Sequence, residues 1–214
     1  MNLHIKYMVS IRCKMMVKQE LQKLGLHYII VDLGKVEIKE KITPLQRTKL
    51  KAALLKCGLE LMDDHKAILV EKIKNIIVEM IHYESELPKV KKSVYISEKL
   101  NHGYTYLSNL FSEATGTTIE QYIILHKIEK VKELIIYDEL NLTEIAHKMH
   151  YSSDAHLSNQ FKKVTGLTPS FFKSLKYKKR VSLEQVGMSA LVPKEIFKPK
   201  RTVMPVPSHR KISA

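Results

Sequence analysis

A polar pair, Ser-Asn, occurs twice in the chain, inside two stretches that repeat each other. The first stretch is YLSNLFSEATGTT, residues 106–118, and the second is HLSNQFKKVTGLT, residues 156–168. Leu, Ser, Asn, Phe, Thr, Gly and Thr recur at the same positions in both. Hydroxyl and amide side chains donate and accept hydrogen bonds. Each stretch therefore carries groups suited to contacting base edges and phosphates.

Helical spacing separates this polar face from an apolar one. Apolar residues recur at i, i+4 and i+7, which predicts a buried helix face. They are Leu107, Phe111 and Ala114 in the first copy, and Leu157, Phe161 and Val164 in the second. The opposite face carries Thr105, Ser108, Asn109 and Ser112 in the first copy, and Ala155, Ser158, Asn159 and Lys162 in the second.

Both predicted helices have matching ends. Each stops at a glycine, Gly116 or Gly166, which suits a left-handed C-cap. Each is followed by a threonine, Thr118 or Thr168, which suits the N-cap of the next helix. The repeat therefore includes its boundaries as well as its polar face.

The repeat also extends upstream, where ISEKLN (96–101) matches IAHKMH (145–150) as a short helix and a turn. This pattern predicts two helix-turn-helix units. About twenty residues between the copies predict roughly 30 Å of helix, close to the roughly 34 Å of one DNA turn. A single chain could thus place two helices in successive major grooves. The alternative is a plain helical repeat whose polar face is only solvated.

Residues 66–178, about half of the chain, resemble the AraC/XylS DNA-binding domain. The resemblance is carried by LTEIAHKMHYSSDAHLSNQFKKVTGLTPSFFK, residues 142–173. It implies a bacterial transcription regulator that binds double-stranded promoter DNA, with RNA polymerase as a candidate partner. The implied base-facing positions are Thr105, Tyr106, Ser108 and Asn109, then Asp154, Ala155, His156, Ser158 and Asn159, with phosphate-facing Lys162 and Lys163.

The chain departs from this family at the turn of each unit. The usual turn glycine is His150 in the second copy, and its counterpart in the first copy is Asn101. Asparagine tolerates a positive φ, whereas histidine does so less readily. We therefore expect the turn at His150 to be strained or rebuilt. The recognition faces also lack arginine, the commonest reader of guanine, which predicts modest sequence specificity.

The first 64 residues alternate between strand and helix patterns in the order βαββαβ. Strand-like runs are LHIKYM, HYIIVD, KVEIKEKI and LELMDD, and helical patterns run from Cys13 to Leu24 and from Thr43-Pro44 to Gly58. This order predicts a ferredoxin-like domain. The fold class is therefore α+β, with the small ferredoxin-like domain followed by an all-α, seven-helix double helix-turn-helix domain.

The N-terminal domain also resembles the heavy-metal-associated, copper-chaperone-like fold, because MVSIRC (8–13) lies in its first loop. That family places Met-x-Cys-x-x-Cys there, and here Met8 and Cys13 match but Ser10 replaces the first cysteine. A hydroxyl does not replace a thiolate as a ligand for a soft ion. We predict no metal site, with Cys13 as a weak candidate for sharing a metal across a dimer or for redox sensing. Cys57 is expected to be a small buried hydrophobe.

Composition sets the remaining expectations. The chain has 214 residues, 44% of them hydrophobic, a formal net charge of +14 and two cysteines. Such a charge attracts polyanions, and so few cysteines suit a reducing cytosol. No apolar run of membrane-spanning length and no secretory h-region occurs, so no membrane association is expected. The predicted location is cytoplasmic, on the nucleoid.

These patterns predict three segments: a ferredoxin-like domain at 1–64, a DNA-binding domain at 65–178 and a basic, disordered tail at 179–214. Neither a base paired to Cys13 nor a phosphate-binding glycine loop is visible, so no enzyme activity and no cofactor are expected. Homodimerisation through the N-terminal domain is an open alternative. A metal-responsive sensor acting through that domain is the alternative function.

Overall fold

The computed structural model describes residues 1–84, 90–175 and 177–187. Its N-terminal unit has the predicted element order: β1 (Asn2–Lys6), α1 (Ile11–Lys23), β2 (Tyr28–Asp32), β3 (Lys35–Ile38), α2 (Pro44–Lys56) and β4 (Glu60–Met62). The four strands form one antiparallel sheet in the order β2-β3-β1-β4. We call residues 1–64 the sheet unit.

Local sequence signals explain the boundaries of these elements. Ser10 caps α1, because its hydroxyl accepts a hydrogen bond from the Cys13 N–H. Thr43 caps α2 in a capping box with Gln46. Gly34 has a φ of 74° in the β2–β3 hairpin, a backbone conformation that favours glycine.

The core of the sheet unit lies between the two helices and one face of the sheet. Alternate strand residues point into it, as the period of two requires. The buried set includes Leu3, Ile5, Val36, Ile38 and Leu61 from the strands, with Val17, Leu21, Leu50 and Leu54 from the helices. Met8 is also fully buried in this core.

The C-terminal part is helical, and we call residues 65–175 the helical unit. Its helices are α3 (His65–Val78), α4 (Lys92–Leu100), α5 (Tyr104–Thr115), α6 (Ile119–Tyr137), α7 (Leu142–Lys148), α8 (Asp154–Thr165) and α9 (Pro169–Ser174). A π-helical turn, Glu79–Tyr83, directly follows α3. The α-helical part of this segment therefore ends at Val78. No helix in the described ranges is long and apolar enough to cross a membrane.

One continuous apolar core joins α3 to α9, with α6 running through it. Ile128 and Val131 of α6 are fully buried. The inward positions Leu107, Phe111, Leu157 and Phe161 are buried as predicted, and Val164 is partly buried. Ala114 is exposed instead, because α5 turns Leu110 rather than Ala114 into the core.

The sheet unit and the helical unit are joined by hydrogen bonds from loops of the sheet unit to α3 and to the π-helical turn that follows it. The Asn75 side chain donates to the Leu33 carbonyl oxygen at 3.3 Å, and the Tyr83 hydroxyl donates to the Val9 carbonyl oxygen at 2.6 Å. The buried Glu71 carboxylate accepts the Tyr7 N–H at 3.0 Å.

Residues 177–187, which we call the strap, continue past the helical unit. Leu183 packs on the apolar cluster of Val9, Leu33 and Val78, which belong to both units. The Arg180 guanidinium lies 2.8 Å from a Glu133 carboxylate oxygen. The first residues of the predicted tail therefore contact folded structure, and its remainder, 188–214, lies outside the described residues.

Candidate nucleic-acid interface

The turns between α4 and α5 and between α7 and α8 have the same backbone geometry. Asn101 and His150 have φ values of 53° and 50°. The next N–H in each turn, of His102 or Tyr151, donates to a carbonyl oxygen five residues back, at 3.2 and 2.9 Å. His150 thus adopts the left-handed conformation of a turn glycine, so the turn is not rebuilt. A non-glycine residue in this conformation costs roughly 1–2 kcal/mol.

Five of the seven repeated residues have structural roles. The repeated Leu and Phe lie in the core, and Gly116 and Gly166 end their helices with φ values of 70° and 77°. The hydroxyl of Thr115 donates to the carbonyl oxygen of residue 111 at 2.7 Å, and that of Thr165 to residue 161 at 2.8 Å. The following threonine of each copy caps the next helix. These contacts leave the Ser-Asn pair unexplained by folding.

The Ser-Asn pair faces outward in both copies. Asn109 and Asn159 are exposed, while Ser108 and Ser158 are half-buried. Among the described residues, neither asparagine side chain has a hydrogen-bond partner. Both amides are therefore available to bind another molecule, and an amide can make two hydrogen bonds to an adenine edge.

The structure places all the predicted base-facing and phosphate-facing residues on α5 and α8. The exposed ones are Thr105, Tyr106, Asn109, Asp154, Ala155, His156, Asn159, Lys162 and Lys163, and the half-buried ones are Ser108, Ser112 and Ser158. The residues of each copy share one helix, so the structure brings them together as two separate sets. Which of them contact nucleic acid stays a prediction.

Two of these residues make contacts within the turn before α8. The His156 ring nitrogen Nδ1 lies 3.0 Å from the Ser152 hydroxyl, and its ring packs edge-on to Tyr151 at 5.2 Å. The Asp154 carboxylate accepts the Ala155 N–H at 2.7 Å. His156 is thus held in one orientation. Asp154, being anionic, is suited to accepting a base amino group rather than to contacting a phosphate.

A buried lysine that the sequence analysis missed fixes the second unit to α6. The Lys127 ammonium donates to the Met149 carbonyl oxygen at the end of α7 and lies 4.7 Å from the centroid of the Tyr151 ring. Burial lowers the pKa of Lys127 to about 8. The sequence does contain a signal, since the apolar residues Ile123 and Val131 lie four residues to either side of Lys127, on the same helix face.

A basic groove of about 530 Å³ lies between the two helix-turn-helix units. Its lining includes Lys91, Lys92, Lys127 and His156, together with the carboxylate of Glu120. Lys91 and Lys92 are at the start of α4. The cations of this groove suit an anionic polymer backbone lying between α5 and α8, and the sequence pattern does not single out Lys91 or Lys92.

The first loop of the sheet unit has few soft ligands around its cysteine. The Cys13 sulfur lies 3.2 Å from the Ser10 hydroxyl and 3.9 Å from the Tyr7 carbonyl oxygen. These oxygens are hard ligands, which do not suit a soft ion such as Cu(I). Cys57 lines the same cleft and packs partly against the core. Among the described residues, no group of three or more His, Cys, Asp or Glu side chains could hold a metal.

Comparisons with known proteins concern the helical unit. Residues 96–174 match the family described as a helix-turn-helix domain. The uncharacterized HTH-type transcriptional regulator YtdP of Bacillus subtilis is 24% identical over 106 residues, 50% of this chain and 14% of that protein. The Msm operon regulatory protein of Streptococcus mutans is 30% identical over 99 residues, 42% of this chain and 36% of that protein. This chain therefore spans only part of the length of these relatives.

A solved structure is also similar: the C-terminal domain of AraT, a response regulator from Geobacillus stearothermophilus. It has a TM-score of 0.44 and 24% identity, covering 56% of this chain and 92% of that chain. Together with the caps, turns and exposed polar faces described above, the family match identifies residues 96–174 as a helix-turn-helix domain.

Proposed function

We propose that the protein is a sequence-specific, DNA-binding transcription regulator in which α5 and α8 read successive major grooves of promoter DNA. The observation that supports this most strongly is the repeated asparagine, which is exposed on both helices and has no hydrogen-bond partner among the described residues. Five of the seven repeated residues, by contrast, serve the fold. Helix α6, with 19 residues, is roughly 28 Å long. This length is comparable to one turn of DNA, roughly 34 Å.

The two kinds of polar residue have different roles in this proposal. Asn109 and Asn159 contact base edges, and the remaining exposed residues of α5 and the first turn of α8 flank them. Lys162 and Lys163 contact phosphates, and the backbone between the two grooves lies along Lys91 and Lys92. Phosphate contacts hold the protein in register without carrying sequence information.

The same proposal divides the chain at residues 64 and 178. It also assigns a ferredoxin-like fold to the sheet unit, similar to the heavy-metal-associated fold. The antiparallel strand order β2-β3-β1-β4 supports the ferredoxin-like assignment. A homodimer formed through the sheet unit, contact with RNA polymerase and a cytoplasmic location on the nucleoid complete it. Neither a cofactor nor an enzymatic reaction is part of the proposal. A metal-responsive sensor is disfavoured by the oxygen-rich surroundings of Cys13.

The salt dependence of DNA affinity tests the proposal. Each phosphate contact releases counterions, so the logarithm of the binding constant should fall linearly with the logarithm of salt concentration, with a slope of about −0.9 per contact. Lys163→Ala should reduce this slope by about 1, whereas Lys56→Ala, an exposed lysine at the end of α2, should not. A binding constant independent of salt, or equal effects of both variants, would refute the assignment of α8.

A further inference from the structure

The floor of the basic groove contains a buried cation. Lys127 of α6 lines the groove and is only 5% exposed. Its ammonium donates to the Met149 carbonyl oxygen, and no carboxylate of the described residues lies within ion-pair distance of it. Burial is the larger cause that lowers the pKa of Lys127 to about 8, and the positive charge of Lys92 is the second. A buried charge without a counter-ion is costly in free energy, so this ammonium is suited to binding an anion.

A tyrosine beside this lysine has a hydroxyl without a partner. The Lys127 ammonium lies 4.7 Å from the centroid of the Tyr151 ring, and Tyr151 lines the same groove. Its hydroxyl oxygen is buried and has no hydrogen-bond partner among the described residues. Native proteins rarely leave a buried polar group unpaired. The unpaired hydroxyl therefore indicates that the groove binds a molecule with a hydrogen-bond acceptor.

The start of α4 adds further donors to the groove. Lys91, Lys92 and Ser93 line it, and Lys91 is the N-cap of α4, without a side-chain cap hydrogen bond. The first N–H groups of a helix have no partner within the helix and favour an anion. One carboxylate, Glu120, also lines the groove, and it accepts a hydrogen bond from the Tyr104 hydroxyl. Three lysines against this carboxylate leave the groove positive.

We propose that the floor of the basic groove is a site for one phosphate group, bound by the Lys127 ammonium, the Tyr151 hydroxyl and the first N–H groups of α4. A phosphate carries negative charge and several acceptor oxygens, so one group can accept from all three kinds of donor. A phosphodiester of the DNA backbone and a free phosphate compound both present this group. The assignment to DNA rests on the proposed function and deepens it, because a phosphate held between α5 and α8 would fix the register of both helices.

Tyr151→Phe tests the site, because it removes only the unpaired hydroxyl. The free variant should unfold at the same or a higher temperature than the wild type, since a buried unpaired hydroxyl does not stabilise the fold. Its affinity for a DNA site selected from a random library should fall about tenfold, because a hydrogen bond to a charged group is lost. The matched control is Tyr137→Phe, at a side chain that is 64% exposed at the end of α6, and it should bind DNA like the wild type.

A single uncharged phosphate in the DNA identifies the group that occupies the site. Methylphosphonates are placed in the selected DNA one position at a time. At one phosphate between the two contacted grooves, the substitution should weaken wild-type binding about tenfold. The same substitution should weaken the binding of Tyr151→Phe much less, because the variant has already lost this contact.

Inorganic phosphate tests the site without DNA. At equal ionic strength, sodium phosphate should raise the unfolding temperature of the wild type relative to sodium chloride, because a ligand of the folded state stabilises it. The rise should be smaller for Tyr151→Phe, which separates binding from the general stabilisation that phosphate gives to folded proteins. This difference in a protein that binds no DNA would refute the proposed function and leave a site for a free phosphate compound. Equal responses of wild type and Tyr151→Phe in the DNA and the phosphate measurements would overturn the site, even with DNA binding intact.

Discussion

At the scale of single residues, some of the repeated side chains have a structural role in the fold, whereas others have none. The repeated Leu, Phe, Thr and Gly residues bury surface or close helix ends in both copies. The asparagines do neither, because they are exposed and have no hydrogen-bond partner among the described residues. A polar residue that is repeated without a structural role is a good candidate for recognition.

Substitution of the two asparagines should change base preference at two different places. We expect Asn109→Ala and Asn159→Ala each to cost about 1–3 kcal/mol of discrimination at one position, with the two positions about one helical turn apart. Lys163→Ala should weaken binding to all sequences alike, since a phosphate contact does not read the base. Selection of binding sites from a random DNA library by each variant measures this. Three variants with reduced affinity and the wild-type preference would show that the recognition faces are misassigned.

A buried histidine pair predicts how stability depends on pH. His82 Nε2 lies 3.2 Å from His126 Nδ1, and burial lowers the pKa of both rings to about 3. The positive charges of Lys130 and Arg180 also lower the pKa of His82. The folded state therefore binds fewer protons than the unfolded state between about pH 3 and 6.5. Stability should be complete above pH 6.5 and fall as the pH drops through this window.

For His126 alone the expected loss at pH 5 is about 2 kcal/mol of unfolding free energy. Urea unfolding at pH 7.5 and pH 5 measures it, with His126→Phe as the variant that keeps a ring but cannot titrate. This variant should lose clearly less stability between the two pH values than the wild type. His147→Gln, at an exposed position on α7, is the control and should keep the full dependence. An equal loss in His126→Phe and the wild type would contradict the account.

At the scale of elements, periodicity and caps predicted most helices and strands, because these signals are local. In the sequence, Ser10 stands out only because it replaces a metal-binding cysteine, whereas in the structure its hydroxyl caps α1. Lys127 interrupts the apolar periodicity of α6, so the sequence does not predict that this side chain is buried. In the structure its ammonium donates to a carbonyl oxygen at the end of α7. In the candidate interface, the helices could be predicted, whereas contacts such as that of His156 with Ser152 depend on the turn geometry.

The helix ends give a direct test at this scale. Gly166 has a φ of 77° and open space around its Cα, so Gly166→Ala should cost about 1–2 kcal/mol through backbone strain alone. The contrasting variant is Gly103→Ser, at the N-cap of α5, where φ is −62° and no side-chain cap is present. It should stabilise the protein by roughly a few tenths of a kcal/mol, since Ser153 caps α8 in this way. Chemical denaturation of both variants measures the difference, and equal effects would contradict it.

At the scale of the whole molecule, the sheet unit is fixed to the helical unit by residues that are far apart in sequence. Val9 lies in the β1–α1 loop and Leu33 in the β2–β3 turn, and they pack with Val78 of α3 and Leu183 of the strap. Sequence periodicity assigns each of these residues to its own element, so the junction could not be predicted from it. The composition of the segment from 179 onward is typical of disorder. It therefore does not predict the burial of Val186, a residue of the strap.

The central claim, that one chain reads two successive major grooves, is tested most directly by a hydroxyl-radical footprint of the protein. The DNA should be a high-affinity site selected from a random library. We predict two protected segments on one face of the duplex, about 10–10.5 base pairs apart from centre to centre, with Asn109→Ala and Asn159→Ala each altering one segment. A single protected segment, or equal affinity for every sequence, would contradict the claim.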